Sequence, residues 1–338
     1  LDPEKLTPEQ KWAVKAVGRA PAFGITAKLS AQAERVVSNA GGYDDLSFAL
    51  APAPRTKAFK DWFGESQIVD AKGRPMVVYH GTTGNFTTFE KARANPESDF
   101  GAGFYFSNTP ADVANNYAGF GPDLQQKVEL RAEQIQAEDD SISDLEARRM
   151  AREEFMAHDG ATMPVYLKME NPAIVGGKKE TRLELEQVLD EGGDPTGDEK
   201  GTLVDFIQGL RNAAAQYHDG NVEPAISALL EAANYESIGL EEAIDVVKKS
   251  DEFNYFTDDN GKLVSSEIIR EALESAGFDG IIDNSVDVKF GSQRRIGKKM
   301  EGMTRDTVHY IVWSPEQVKS AIGNKGTFFE PTVLANIN

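Results

Sequence analysis

Three short motifs carry the side chains best suited to chemistry. They are residues 79–82 (YHGT), residues 103–107 (GFYFS) and residues 114–118 (ANNYA). His80 follows an apolar run and adds an imidazole, Gly81 leaves the backbone open to a close ligand, and Thr82 adds a hydroxyl. Tyr105 and Tyr117 are able to stack on an aromatic ring. This combination is typical of a nucleotide pocket that holds a flat, amide-bearing ring.

The glycines of the second motif have an alternative interpretation. Gly101 and Gly103 match half of a dinucleotide-binding fingerprint, in which glycines lead from a strand into a helix. Here they lead into the apolar run 104–106, which predicts a strand, so we reject the fingerprint. Ser107 ends that strand and places a second hydroxyl close to Tyr105 in sequence.

The amino-acid composition limits the classes of protein to which the chain can belong. A chain of 338 residues with 40% apolar residues can bury a sizeable core, and its net charge of -19 argues against nonspecific coating of nucleic acid. It has no cysteine, which excludes disulfides, thiolate metal sites and a cysteine nucleophile. His158 and His218 lack metal-ligand spacing, so we predict no metal site. No apolar run is long enough to cross a bilayer, and we predict no membrane partner.

The N-terminal part is predicted to be a separate appendage. Thr7 begins a helix, a second helix is expected over 27–39, and residues 51–54 (APAP) have the composition of a linker. We therefore divide the chain into a helical appendage with linker, 1–56, and a domain, 57–338. Because the chain begins at Leu1 rather than Met, we expect it to be part of a longer polypeptide.

The domain is predicted to be α+β. Strands are expected at 76–79, 103–107, 165–169, 280–282 and 308–313. Thr109, Pro110 and Asp112 form a helix-start signal ahead of Tyr117. Residues 181–276 form a helical insertion, with helices over 203–217, 225–233, 240–247 and 268–276. Strands at both ends of an insertion indicate a mostly antiparallel sheet.

These motifs, in this order, resemble the NAD-binding core of the His-Tyr-Glu class of ADP-ribosyltransferases, which includes diphtheria toxin and the poly-ADP-ribose polymerases. Most of 57–331 is similar to the ADP-ribosyltransferase-like domain of phage and mobile-element polyvalent proteins. That similarity is carried by residues 59–64 (FKDWFG), 78–82 (VYHGT), 278–282 (FDGII) and 314–321 (SPEQVKSA). The resemblance implies a split antiparallel sheet with NAD, the substrate, in its cleft.

The resemblance also implies roles for individual residues. His80 would bond the adenine-side ribose, and the Gly81 backbone would hold the nicotinamide carboxamide. Tyr105 and Tyr117 would sandwich the nicotinamide ring. The transition state of glycosidic cleavage is oxocarbenium-like, so orientation and electrostatics would supply most of the rate. The predicted NAD site comprises His80, Gly81, Thr82, Tyr105, Ser107 and Tyr117.

The third motif departs from the family pattern. Where the family has a catalytic glutamate before a Tyr-Ile-Val strand, this chain has His309. A neutral imidazole accepts a hydrogen bond but offers no fixed negative charge, and the loss of the acid is expected to cost about two to three powers of ten in rate. We predict His80, Tyr105 and His309 as catalytic residues, with Glu301 or Glu316 as alternative acids. Glu316 also suits the first turn of a helix that begins at Ser314.

A basic segment interrupts the acidic chain between 289 and 305. Arg294, Arg295, Lys298 and Lys299 are candidates to contact the acceptor. An acidic protein surface, a nucleic acid phosphate or the NAD pyrophosphate would each suit them, as would a solvated loop.

The function predicted from these features is NAD-dependent mono-ADP-ribosyl transfer to a host macromolecule, protein or nucleic acid, with nicotinamide released. The place of action would be the bacterial cytoplasm after phage delivery or expression, or the virion itself. Two alternatives remain open at this stage. One is an NAD glycohydrolase, and the other is a degenerate module that binds NAD or ADP-ribose or serves as a structural phage part.

Overall fold

The computed structural model describes residues 55–82, 89–91, 94–118, 122–156, 161–217, 221–250, 253, 256–259, 261–295 and 303–321. Its helices are α1 (Lys57–Phe63), α2 (Pro110–Asn116), α3 (Pro122–Glu138), α4 (Asp144–Met156), α5 (Thr202–Ala214), α6 (Glu223–Ala232), α7 (Leu240–Lys249), α8 (Ser265–Ser275) and α9 (Val286–Arg295). Its strands are β1 (Val78–Thr82), β2 (Phe104–Ser107), β3 (Ala161–Leu167), β4 (Ala173–Val175), β5 (Arg182–Glu184), β6 (Glu186–Leu189), β7 (Pro195–Lys200), β8 (Ser237–Gly239), β9 (Gly280–Asp283), β10 (His309–Val312) and β11 (Val318–Ser320).

A seven-stranded mixed sheet organises the domain, with the order β11-β3-β1-β2-β10-β9-β4. Every neighbouring pair is antiparallel except β4 and β9, which are parallel. The α+β class is therefore confirmed and the sheet is mostly antiparallel as predicted, with one parallel pair at this edge. The short run 173–175 carried too little pattern to be recognised as a strand.

The pairing of β1 with β2 is limited to one position, Tyr79 opposite Ser107. By contrast, β1 pairs with β3 along its whole length, from Val78 to Thr82. The sheet is thus divided into two parts, β11-β3-β1 and β2-β10-β9-β4, that are joined by a single register pair.

Successive side chains of β2 and β10 lie on opposite faces of the sheet, so they pack in two separate cores. Ile311 lies in the larger core, against which Tyr105 packs, together with the helices α5 to α8. Phe104, Phe106 and Tyr310 lie in the core on the other face of the sheet. Because cross-strand partners share a face, Tyr105 and Ser107 lie on the same face as Ile311 and His309.

The predicted insertion, 181–276, contains the four expected helices as α5 to α8. It also contains four short strands that the sequence did not predict, paired as β5 with β8 and as β6 with β7. A second helical unit, the hairpin of α3 and α4, lies between β2 and β3 and has its own small core. The domain thus carries two helical units.

Two predictions at helix ends have different outcomes. A helix does begin at Pro110, but the Thr109 side chain makes no capping bond and instead contacts Asn108 and Thr307. A helix does begin after Ser314 as predicted, with the Gln317 side chain accepting from the Ser314 amide, although it is a single 3-10 turn, Pro315–Gln317.

The predicted appendage, 1–56, lies almost entirely outside the described residues, so its boundary stays a prediction. Within the described residues, no helix combines the length and the apolar character required to cross a membrane.

Candidate active site

A cavity of about 580 Å³ lies where β1 and β2 separate. The structure brings to its lining all the residues that the sequence assigned to NAD binding and the residue at the third motif: His80, Gly81, Thr82, Tyr105, Ser107, Tyr117 and His309. Its volume is in the range of cavities that bind small molecules.

His80 fills the gap between the two strands. In a continuous β1–β2 ladder Gly81 would be opposite Tyr105, but the Tyr105 carbonyl instead bonds Nδ1 of His80 at 2.8 Å. A carbonyl oxygen only accepts, so Nδ1 carries the proton in the neutral ring. The rings of Phe89 and Phe106, with centroids 5.0 and 5.5 Å away, pack against the imidazole. His80 is therefore fixed in orientation by backbone and aromatic contacts.

Gly81 is needed for packing. A Cβ at this position would lie 2.6 Å from Cβ of Tyr117 and 2.9 Å from Cγ1 of Val113. The sequence interpretation, a backbone left open for a ligand, omitted this contact. The absence of a side chain lets α2 approach β1 and places Tyr117 against the cavity.

Tyr105 is held by the segment that precedes its own strand. Its hydroxyl donates to the Gly101 carbonyl at 3.0 Å and accepts from the Phe100 amide at 3.0 Å. Burial raises the pKa of this hydroxyl well above its usual range. The hydroxyl is a structural anchor, and the ring is the part available to a ligand.

Helix α8 of the insertion holds the same segment. Glu267 accepts from the Ala102 amide at 2.6 Å and is paired with the buried Arg270 at 2.8 Å. Gly101 has φ of 71°, and a Cβ there would lie 2.6 Å from Glu267. The predicted insertion therefore supports the cavity wall that contains Tyr105.

The hydroxyl residues Thr82 and Ser107 are both buried. Ser107 accepts from the Thr109 amide at 3.1 Å, which ties the end of β2 to the start of α2. This short connection fixes the position of α2 relative to the sheet.

His309 is the first residue of β10, and it is 9% exposed. Its ring meets Tyr117 edge-on, with centroids 5.8 Å apart, and lies 6.4 Å from the ring of Phe290. Nε2 lies 3.0 Å from a carboxylate oxygen of Asp112, which is fully buried. Sequence reasoning placed His309 correctly in the cavity but missed its partner.

The described lining contains four acids that were not predicted, Glu90, Glu97, Asp99 and Asp283. Asp283 is the one on the strand next to β10. It is opposite His309 in the register of β9 and β10. Its Oδ1 accepts from the amide and the hydroxyl of Ser285, and its Oδ2 pairs with Lys289 at 2.8 Å. The signal that could have revealed it is an acid directly after the apolar run of 281 and 282.

Of the two alternative acids, Glu316 is among the described residues. Glu316 lies in the 3-10 turn, where it accepts a hydrogen bond from the Ser314 hydroxyl that lowers its pKa. It does not contribute to the described lining of the cavity, and its structural interpretation is the better one. Glu301 lies outside the described residues.

The basic segment is only partly described. Lys289 points to Asp283, and its Nζ lies 4.3 Å from the ring centroid of Phe100, so it belongs to the cavity region. Arg294 and Arg295 end α9, and their side chains are not described. Lys298 and Lys299 lie outside the described residues. Acceptor contact by these four residues stays a prediction.

Comparison with known proteins agrees with this geometry. The family described as ADP-Ribosyltransferase in polyvalent proteins matches residues 70–328, which is most of the chain and includes every residue described at the cavity. No curated protein and no solved structure gave a match. On the extent of the family match, the chain belongs to the ADP-ribosyltransferases of polyvalent proteins.

Proposed function

We propose that this domain is an NAD-dependent mono-ADP-ribosyltransferase that releases nicotinamide and transfers ADP-ribose to a host macromolecule. The observation that carries the proposal is the convergence of His80, Tyr105, Tyr117 and His309 on one cavity at the gap between β1 and β2. These residues come from three separate strands and the end of one helix, so ordinary packing of a single element does not explain their meeting.

The cavity suits NAD in its chemistry. His80 presents a ring of fixed tautomer for hydrogen bonds to a ribose, and Tyr105 and Tyr117 supply aromatic faces for the nicotinamide. Cleavage of the nicotinamide bond develops positive charge on the ribose, which nearby carboxylates stabilise. Asp112 and Asp283 are buried acids of this region in the part of the chain that the structure describes, although Lys289 neutralises Asp283.

The biological setting of the proposal comes from the family. Membership in the polyvalent-protein ADP-ribosyltransferases supports a phage or mobile-element origin. The acceptor would then be a protein or nucleic acid of the infected bacterium, met in the cytoplasm after delivery or expression. A single transferred unit is expected because the family glutamate is replaced by His309, and chain elongation makes a greater demand on that acid.

The test is incubation of the protein with adenylate-labelled NAD and bacterial lysate, followed by separation of protein and nucleic acid. Label in either fraction, with equimolar nicotinamide, is the expected result. Nicotinamide without transferred label would instead establish glycohydrolysis. Intact NAD with no labelled fraction would show that the proposed enzyme activity is absent.

A matched pair of tyrosine variants links the activity to the cavity. Tyr105→Ala removes a ring from the lining and is expected to abolish NAD binding measured by calorimetry. Tyr235→Ala removes a tyrosine that is 61% exposed and lies away from the described lining, and it should bind NAD as the wild type does. Equal NAD affinity of the two variants would place the binding site elsewhere.

A further inference from the structure

His309 is held by a buried acid on a neighbouring helix. Asp112 is fully buried, and its Oδ2 lies 3.0 Å from Nε2 of His309. Its Oδ1 accepts from Nδ2 of Asn116 at 2.7 Å, one turn further along α2. Both carboxylate oxygens are therefore engaged, and the acid has a fixed position relative to the imidazole.

The acid determines which nitrogen of His309 carries the proton. A carboxylate only accepts hydrogen bonds, so Nε2 is the protonated nitrogen and Nδ1 keeps its lone pair. No described group donates a hydrogen bond to Nδ1, and the ring lines the cavity. His309 thus offers Nδ1 as a proton acceptor, while its Nε2–H group is hydrogen-bonded to the negatively charged Asp112 carboxylate.

The groups around His309 leave this acid as its dominant electrostatic partner. Tyr117 and Phe290 offer ring contacts, and Ser107 is neutral. Among the described residues, Asp283 of β9 is the other acid beside His309, but Lys289 of α9 neutralises it. A proton taken up by His309 would therefore be stabilised mainly by Asp112.

We propose that His309, oriented by Asp112, is the general base for a hydroxyl acceptor in ADP-ribose transfer. This inference rests on the proposed function and names the acceptor chemistry of the same site. The bond between nicotinamide nitrogen and ribose C1′ breaks, and its electron pair leaves with nicotinamide. The acceptor oxygen bonds to C1′, and its proton passes to Nδ1 of His309 and then to solvent.

The base selects among acceptors. A hydroxyl is neutral and must lose a proton as it forms the new bond, so a positioned imidazole accelerates its attack. A carboxylate acceptor is already deprotonated and needs no base. A guanidinium acceptor would be attracted by a glutamate at this position, whereas a neutral imidazole gives it no ion pair. Water and methanol are the simplest acceptors of the hydroxyl class.

The experiment uses NAD with and without methanol and the variants His309→Gln, Asp112→Asn and Asp70→Asn. Nicotinamide release gives kcat and KM, mass spectrometry detects methyl-ADP-ribose, and calorimetry gives the affinity for NAD. The first two variants are expected to lower kcat about 10²-fold or more for both acceptors, with unchanged NAD affinity. Asp70 lies outside the described lining, so Asp70→Asn should retain wild-type kcat.

The pH profile separates a base from a structural contact. A general base acts only in its unprotonated form, so the wild-type kcat should fall as the pH is lowered. This fall should be absent in His309→Gln. Asp112→Asn places an amide donor against Nε2, which moves the proton to Nδ1 and should lower kcat at every pH. Asp112 is thus a positioning residue that acts through His309.

The outcomes distinguish this inference from the proposed function. A wild type that leaves NAD intact overturns both. A wild type that releases nicotinamide, with His309→Gln and Asp112→Asn equally active across pH, overturns only the role of the pair. If Asp112→Asn unfolds at the assay temperature, the rate and pH profile of His309→Gln decide.

Discussion

The cavity contains two histidines that are held in opposite ways. His80 bonds a backbone carbonyl through Nδ1, whereas His309 bonds a buried carboxylate through Nε2. The partner of His80 is a neutral carbonyl, and the His80 ring itself packs against the rings of Phe89 and Phe106. The partner of His309 is an acid, Asp112, that is fixed on α2.

The difference assigns different tasks to the two rings. A carbonyl fixes the tautomer but gives little stabilisation to an imidazolium ion, so His80 is suited to hold a ligand. A carboxylate fixes the tautomer and also stabilises the protonated ring, so His309 is suited to accept a proton. The wall formed by β1 is expected to determine binding, and the wall formed by β10 and α2 to determine turnover.

The largest effect is expected from His309→Glu. The change restores the family residue but places a second carboxylate beside the buried Asp112. Because an uncompensated buried charge is costly, we expect a loss of about 3 kcal/mol in unfolding free energy and weak nicotinamide release. Adding Asp112→Asn should recover most of the stability and raise the activity. Urea denaturation and nicotinamide release at neutral pH measure both, and a stable, active single variant would contradict the charged pairing.

Gly81→Ala tests whether the two walls depend on each other. The added Cβ would press on Tyr117 and Val113, so α2 must shift away from β1. Overpacking of this kind costs about 1–3 kcal/mol, and turnover should fall because Asp112 moves with the helix. Gly192→Ala, in the exposed turn between β6 and β7, is the control, and its Cβ would meet only side-chain oxygens, of Asp190 at 3.3 Å and of Asp194 at 4.0 Å. Equal unfolding free energies for the two variants would exclude a tight contact at β1.

His80→Ala tests the prediction that His80 contributes to NAD binding rather than to turnover. Loss of a ring that holds the substrate equally before and during reaction raises KM with little change in kcat. We expect the Kd for NAD to rise about tenfold, which corresponds to the loss of one hydrogen bond. Calorimetry and steady-state kinetics give the two values. A variant that lost kcat while keeping its NAD affinity would reverse the tasks assigned to the two histidines.

The smallest effect is expected at Asp70, an exposed counterpart of the buried acid. Hydrogen bonds from the Arg74 side chain are the main reason why the pKa of Asp70 is lowered from 3.8 to about 2. The charged form therefore adds stability above pH 3.8, and this is lost as the pH falls through about 2. Asp70→Asn should be slightly less stable than the wild type at pH 7, with a smaller difference near pH 2. Thermal unfolding at the two pH values checks this, and a larger gap at pH 2 would refute it.

Local patterns were sufficient to predict the strands of the cavity. Apolar runs followed by glycine or a polar residue gave β1, β2, β9 and β10 within a few residues, since strand formation here depends on short hydrophobic stretches. His80, Tyr105 and His309 were found through the family motifs, whereas Asp283 of the same lining was not. Their approach in space, however, depends on register.

Asp112 shows why register could not be predicted. In the sequence it is an acid in the first turn of a helix, where it suits the helix dipole. Its partner His309 is 197 residues away. Only the pairing of β2 with β10, and the short connection from Ser107 to α2, bring the two residues together. No local pattern contains that information.

The α3–α4 hairpin was missed for a different reason. Its small core includes several alanines, so the apolar pattern is weak, and α4 carries exposed ion pairs of Arg148 with Asp144 and of Arg149 with Glu153. The buried residues of the hairpin are Val128, Ala132, Ile135, Ala147 and Ala151. The spacing of 128, 132 and 135 is helical, and it was hidden by the polar residues between them.

The single register pair between β1 and β2 gives the sheet a line of mechanical weakness. On either side of it, β1 with β3 and β2 with β10 form ladders of several pairs. The two parts of the sheet can therefore change their separation at the expense of few backbone hydrogen bonds, while each part remains intact. Tyr79 and Ser107 form that pair. The cleft is therefore closed at this pair, next to the residues that would hold the substrate, and a change at the pair would change its width.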